Sequence, residues 1–487
     1  MHPRRELARF VPYPNQIVSS ETPSASSPAP RPVTNRFTTW LEQGPAPVFV
    51  VVAVLAAFCT YFSMYAFRKP FAAAKFQGET LWGTAIGLKT AIVISQILGY
   101  ALSKYLGIKF CSEITPGRRA RTLVVLIVWA ELALVAYGLV PNGWKVVPIF
   151  LNGLPLGMVW GLVVWYLEGR RTSDVLLVGL SCSFIVSSGI VKDFGRAMME
   201  GAVATWWTHV PVIGEFIATH LGKVSEGWMP AITGLHFLPM FLASVWLLNQ
   251  LPRPNARDEE ERTRRVPMKG ADRLAFIREF LFGMTMLCIA YLFLTAYRDF
   301  RDNYQVEILE DLGYPYSSNK AIISQAETLV MFGVMAALAL LYFVRDNRRG
   351  LQATYAIMVC GTLMLGLGTA LLQAKMISGF WWMTLTGLGS YLTYVPYNSV
   401  LFDRTIASTR ATATAVFAIY LADAIGYTGS VGVQLFKDVA WKNASRLVFF
   451  QTFTWIMCGV GTVCLLASAY YFERRSQRAA QQEKLGA

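Results

Sequence analysis

Charge is what this chain has least of. Only 15% of its 487 residues are charged and 54% are hydrophobic, where soluble domains carry about a quarter charged residues. That shortage argues against an ordinary water-soluble globule and for a membrane protein. Histidine is scarce too, at 4 residues with no HExxH and no His/Cys cluster, so no metal site is expected. The seven cysteines are Cys59, Cys111, Cys182, Cys288, Cys360, Cys458 and Cys464; six sit in apolar runs and none forms a CxxC pair. Neither a disulfide framework nor a zinc site fits that pattern. There is no GxSxG, no Walker motif and no GxGxxG opening a helix after a strand. Acids and bases are too few to stage chemistry, so we expect no enzyme and no cofactor. The first apolar run lies too far in for an ordinary secretory signal.

Long apolar runs are what the chain has in abundance. About twenty such residues cross a hydrocarbon core of about 30 Å. Runs near 47–67, 83–103, 121–140, 146–167, 174–195, 228–250, 279–298, 319–344, 351–373, 378–400, 411–433 and 447–472 meet that measure, the fifth, eighth and eleventh with polar interruptions. The stretch WWTHVPVIGEFIATH at 206–220 is short and broken, and reads as an interfacial helix in a loop. Residues 1–46 hold a Pro- and Ser-rich stretch (PSASSPAPRP, 23–32) and read as a disordered tail.

With the N-terminus placed inside, the inner loops and tails hold 29 Lys and Arg and the outer set 14, with Lys89 inside a span. The bias follows the positive-inside rule and puts both termini in the cytoplasm. The net charge of +14 then belongs mainly to loops beside anionic lipid, so nucleic acid is not an expected partner.

The charged stretch 251–278 separates six spans from six. The expected organisation is an all-α membrane protein: a cytoplasmic tail (1–46), a six-helix bundle (47–250), a cytoplasmic linker (251–278), a second six-helix bundle (279–472) and a short tail (473–487). Span four (NGLPLGMVWGLVVWYLEGRR) and span ten (TGLGSYLTYVPYNSVLFDRT) echo each other. Each opens with glycines spaced for close helix approach, turns aromatic, and ends in an acid followed by Arg. Parallel repeats of this kind occur in transporters with two rocking halves.

Within the first span, YFSMYAFRKPFAAAKF carries Arg68 and Lys69 among aromatic residues. They read either as an end-of-helix anchor or as buried anion ligands, since intramembrane charges are expensive and usually functional. Similar alternatives hold elsewhere. Glu131, mid-span three, should pair with a cation such as Lys89, be protonated, or couple transport. Glu327 should bridge to Lys320 or Lys89, or act as a switch. Asp423 is a proton site or an interhelical contact. Lys192 and Asp193 either supply a binding site or pair as structure. Tyr391, Tyr394 and Tyr397 either line a cavity or pack, and Trp206, Trp207, Trp381 and Trp382 read as an interface belt.

Four stretches carry a resemblance: YAFRKPF (65–71), FLNGLPLGMVW (150–160), LTAYRDFRDNYQVEIL (294–309) and Glu327 in span eight. Together they resemble the major facilitator superfamily, and within it the organophosphate:phosphate antiporters. The resemblance implies twelve spans in two pseudo-symmetric bundles and a substrate phosphate gripped by Arg68 and Arg298, with Lys69 as a further charge and Arg301 as the alternative to Arg298. Guanidinium forks match phosphate oxygens bidentately. Gln96 stands where the family has a lysine and Phe184 where it has a histidine, which points to a different anion. Tyr65, Gln96 and Tyr394 complete the expected binding set. RDNRRG (345–350) resembles the superfamily's inner-loop basic motif, expected to lock the halves by ion pairs. The expected function is secondary transport of a small organic anion across a bacterial cytoplasmic membrane by alternating access, as phosphate antiporter or proton symporter, by a monomer. The alternative is a membrane sensor of such a solute on the same fold.

Overall fold

The computed structural model describes residues 35–167, 170, 172–202, 223–252, 270–344, 346–411 and 415–486. The tail as far as residue 34, the stretch 206–220 with Trp206 and Trp207, and most of the central linker lie outside these residues.

Sixteen α-helices form the described chain. They are α1 (Arg36–Gln43), α2 (Ala46–Ala66), α3 (Leu88–Glu113), α4 (Arg119–Leu139), α5 (Val146–Leu167), α6 (Ser173–Met199), α7 (Met229–Asn249), α8 (Gly270–Glu279), α9 (Leu281–Asn303), α10 (Gln305–Asp311), α11 (Ile322–Tyr342), α12 (Asn347–Gln373), α13 (Gly379–Ser399), α14 (Leu401–Thr409), α15 (Ala415–Val439) and α16 (Arg446–Gly486). Twelve of them have 21 residues or more, and each matches one of the twelve apolar runs. Among the described residues, nine are long and apolar enough to cross a membrane. The other three, α3, α13 and α15, are as long but more polar. This is an all-α membrane protein.

Asn35 beside α1 lies against Gln250 after α7, and Arg475 of α16 against Glu279 at the end of α8; that side is here called the termini end, and the opposite side the far end. Contacts sort the long helices into two sets. In the first, α3 and α4 pack on α5, and α6 and α7 pack on α2; in the second, α15 and α16 pack on α9, α12 and α11 pack on α13. The sets meet where α6 faces α11 and α3 faces α15. Small residues set the tightest approach, as expected where lipid offers no hydrophobic drive. A Cβ on Gly153 of α5 would lie 2.6 Å from the Gln96 carbonyl oxygen and 2.9 Å from the Tyr100 nitrogen of α3.

Four expectations need correction. The tail is not irregular throughout: α1 is helical, its Phe37 ring lies 6.3 Å from Trp246, and Leu41 is buried. The end of the linker is helical, as α8. The last span runs on through the expected C-terminal tail as one helix to Gly486. The spans at 83–103 and 279–298 are too short, because α3 continues to Glu113 and α9 to Asn303. The added residues of α9, Asp299 to Asn303, are all buried, as is Arg298 before them. Their charges find partners inside the protein, so an apolar run underestimates the helix.

Candidate functional site

The helix carrying Tyr65 ends at Ala66, and a tight turn through Phe67, Arg68 and Lys69 leads into a 3-10 turn at Pro70–Ala73. Proline lacks the N–H that would continue the α-helix. The Asn152 amide holds the Phe67 carbonyl at 3.0 Å, and Gln96 holds the Arg68 carbonyl at 2.9 Å. Gln96 also donates to Asn152 Oδ1 at 2.9 Å. Gln96 therefore supports the Arg68 backbone and does not line the cavity, contrary to expectation: its amide is spent on the helix break.

Arg68 is 7% exposed, which leaves no solvated anchor there. Its guanidinium lies over the Tyr100 ring at 3.9 Å and donates to Tyr65 Oη at 3.4 Å. From the second set of helices, the Arg298 guanidinium lies over the Tyr394 ring at 4.1 Å and bonds Asp299 Oδ1 at 2.8 Å. Asp299 Oδ2 accepts from Ser430 at 2.9 Å. The Nε atoms of Arg68 and Arg298 have no hydrogen-bond partner among the described residues. Both side chains line one cavity of about 40 Å³ between the two sets. Aromatic rings make most of its wall, including Tyr61, Tyr65, Tyr100, Trp160, Phe184 and Tyr394. Lys104, Asn398, Asp423 and Tyr427 complete it. Asp423 accepts from Tyr291 Oη at 2.7 Å and stands 3.9 Å from Lys104 Nζ, a loose ion pair between the sets.

The other expected site residues belong to a second layer, toward the far end. Lys69 pairs with Asp302 at 2.5 Å and donates to Asn303 at 3.0 Å. Lys192 reaches the same Asp302 carboxylate at 2.9 Å and Gln305 at 2.6 Å, while Ser188 also donates to Asp302. Arg301 is 1% exposed, pairs with Glu327 at 2.8 Å and donates to the Met383 carbonyl at 2.8 Å. Lys69 and Arg301 are thus absent from the cavity wall, and Arg298 is the second-set arginine that faces it. Asp193 accepts from the backbone and hydroxyl of Ser324, both at 2.7 Å.

Further out, Lys89 pairs with Glu307 and donates to the Ala72 carbonyl. Arg446 bonds Asp438 at 2.8 Å, and Asp438 accepts from the Gly87 N–H at 3.2 Å. The ties of Lys69, Lys192 and Ser188 to Asp302, Lys69–Asn303, Lys192–Gln305, Asp193–Ser324, Lys89–Glu307 and Gly87–Asp438 join one set to the other; Arg301–Glu327, Arg301–Met383, Lys89–Ala72 and Arg446–Asp438 lie within one set. The first group ties the two sets together toward the far end.

Several pairings differ from expectation. Lys89 bonds Glu307 and not Glu131 or Glu327, because the turn after α9 brings Glu307 within its reach. Glu327 bonds Arg301 and Gln305, not Lys320. Neither carboxylate oxygen of buried Glu131 has a hydrogen-bond partner among the described residues; one of them sits in the notch of Gly234. Arg348 of the basic motif pairs with Glu473 within the second set and does not lock the halves. Trp381 is exposed, but Trp382 is fully buried and bonds Thr369 at 3.0 Å, so it is core rather than belt. Tyr397 donates to the Leu287 carbonyl at 3.0 Å and packs.

Tyr61, Tyr100, Lys104, Trp160, Asn398 and Tyr427 are cavity residues that sequence reasoning missed. A signal existed. Gln96, Tyr100 and Lys104 are four apart, as are Tyr61 and Tyr65, Tyr394 and Asn398, and Asp423 and Tyr427, a spacing that shares one helix face. Lys104 follows the end of its apolar run at 103, so by sequence it falls to the loop after it.

The fold is that of known membrane transporters. A bacterial homologue of the human lysosomal transporter Spinster, solved inward-facing and unoccupied, superposes with a TM-score of 0.53 at 12% identity, covering 92% of this chain and 98% of that one. A D-xylose–proton symporter gives 0.56 at 13% identity, covering 86% and 96%. A point variant of the nucleoside transporter NupG gives 0.52 at 12%, covering 88% and 99%. At such identities the likeness shows the major-facilitator fold alone. No curated protein matches this sequence. The model of the DUF5690 family, a family of unknown function, matches residues 70–218 and 208–475, and the chain belongs to that family.

Proposed function

We propose that this protein moves a small organic anion across the membrane by alternating access between its two helix sets. One observation carries the reading: Arg68 from one set and Arg298 from the other line the same buried cavity, each with an unpartnered Nε. A buried guanidinium with unmet donors in a membrane-spanning protein calls for an anion. One fork from each set lets the bound anion draw the sets together, which is the differential binding a conformational change requires. Energy comes from a proton or from exchange, and the Lys/Arg bias supports a cytoplasmic termini end. The organophosphates suggested by the sequence resemblance are one class of candidate. The structural relatives include a nucleoside transporter and a D-xylose–proton symporter, so the anion is chosen by testing.

The test is thermal unfolding of the purified protein and of Arg68→Ala with phosphate, phosphate esters, carboxylates, xylose and adenosine. We expect at least one anion to raise the wild-type Tm and not that of the variant, and proteoliposomes to exchange that anion by counterflow. Stabilisation by neutral solutes alone, or an equal shift in Arg68→Ala, would overturn the anion reading. Binding without counterflow would favour the sensor.

A further inference from the structure

The chemistry of the cavity narrows the anion. This step rests on the reading that Arg68 and Arg298 hold it. The cavity wall holds three cations, Arg68, Arg298 and Lys104, and one carboxylate, Asp423; Asp299, paired with Arg298 from behind the wall, offsets a second charge. One positive charge is left over. Uncompensated charge is costly inside a membrane protein, so a single negative charge on the solute neutralises the site. A phosphate monoester carries about −1.5 to −2 at pH 7 and would overshoot.

The wall speaks to the rest of the solute. Across the cavity the two sets touch through rings: Phe184 meets Tyr394 edge-on at 6.3 Å and Tyr391 at 6.0 Å, and Tyr100 meets Tyr427 at 5.7 Å. Trp160 backs Phe184 at 5.9 Å. The cavity of about 40 Å³ has room for a few water molecules, each needing roughly 10–15 Å³ on the same measure, and not for an organic acid. A solute therefore enters by parting these rings, and each parted ring needs a new apolar neighbour. A flat ring supplies one on both faces. A polyol would instead leave its hydroxyls against ring carbons. Asn398 donates to Tyr291 at 3.2 Å, and Tyr291 donates to Asp423, so part of the polar lining is already engaged.

We propose that the solute is an aromatic carboxylate with a single negative charge, its carboxylate shared by Arg68 and Arg298 and its ring held between the rings of the two sets.

Isothermal titration of the full-length protein in detergent tests this, with benzoate, cyclohexanecarboxylate, glycerol 3-phosphate and inorganic phosphate as probes. Benzoate should bind about tenfold tighter than cyclohexanecarboxylate, which has the same charge and no flat ring. The phosphates should bind more weakly than benzoate. Phe184→Leu, which keeps an apolar side chain there, should erase the preference for benzoate, and Arg68→Ala should weaken both carboxylates. Equal binding of the two carboxylates would overturn the aromatic assignment. Tighter binding of glycerol 3-phosphate would overturn the carboxylate class and leave the anion reading standing. Binding of none of the four by folded wild type would overturn both.

Discussion

Arg301 and Glu327 lie in the membrane-spanning core with side chains only 2% exposed, 2.8 Å apart. Such a pair is satisfied as a unit, and removing one partner strands the other; breaking a buried pair costs about 3–5 kcal/mol. Arg301 would keep the Met383 carbonyl, and Glu327 would keep Gln305, and neither replaces the lost charge. Glu327→Ala should therefore lower the unfolding temperature strongly, while the double variant Arg301→Met/Glu327→Leu should lose less than either single change. Thermal unfolding in detergent checks both; a Glu327→Ala protein as stable as wild type would show that the pair does not hold α9 to α11. The role was only half legible in the sequence. Charge inside an apolar run announces that a residue matters, and every charge expected in the site proved buried, although Lys320 is exposed. Which charge meets which depends on helix rotation and on turns such as that after α9. Hence Lys69 and Arg301, expected beside the anion, stand in ion pairs beyond the cavity wall.

The elements were more legible than their ends. Each of the twelve apolar runs became a helix, because the hydrocarbon thickness fixes their length and lipid forbids unpaired backbone. The ends were missed where polar residues find partners inside, as with Lys104 of α3 and the Arg298–Asn303 turn of α9. The glycines of NGLPLG were read as close-approach positions, and Gly153 is one. A side chain at 153 would meet α3 backbone, which cannot rotate away, and overpacking of this kind costs about 1–3 kcal/mol or more. Gly153→Leu should part α3 from α5, shift Gln96 off the Arg68 carbonyl, and lower both thermal stability and the monodisperse fraction in size-exclusion chromatography. Gly432→Ala on α15, where a Cβ meets nothing within 4 Å, should change neither. A tolerant Gly153→Leu would mean that α3 and α5 approach less tightly than the geometry shows.

At the scale of the whole molecule, the ties between the two sets act as a conformational restraint. Lys69–Asp302, Lys192–Asp302, Lys89–Glu307 and Gly87–Asp438 all lie on the far side of the cavity, whereas Lys104 and Asp423 stand apart at 3.9 Å. If the two sets rock as units, as we propose, opening the far end requires these pairs to separate and to be resolvated. Their net contribution to the closed form then sets how often it opens. Removing a pair without stranding a charge isolates that contribution. Lys89→Gln/Glu307→Gln does so, since both replacements are neutral and can still hydrogen-bond. Spin labels at the exposed positions Thr84 and Ser317, one on each set near the far end, would report the separation by pulsed electron resonance in a cysteine-free background. We expect one short distance when the pair is present. In the double variant a second, longer distance should appear while thermal stability stays nearly unchanged. An unaltered distribution would mean that the Lys89–Glu307 pair does not restrain opening.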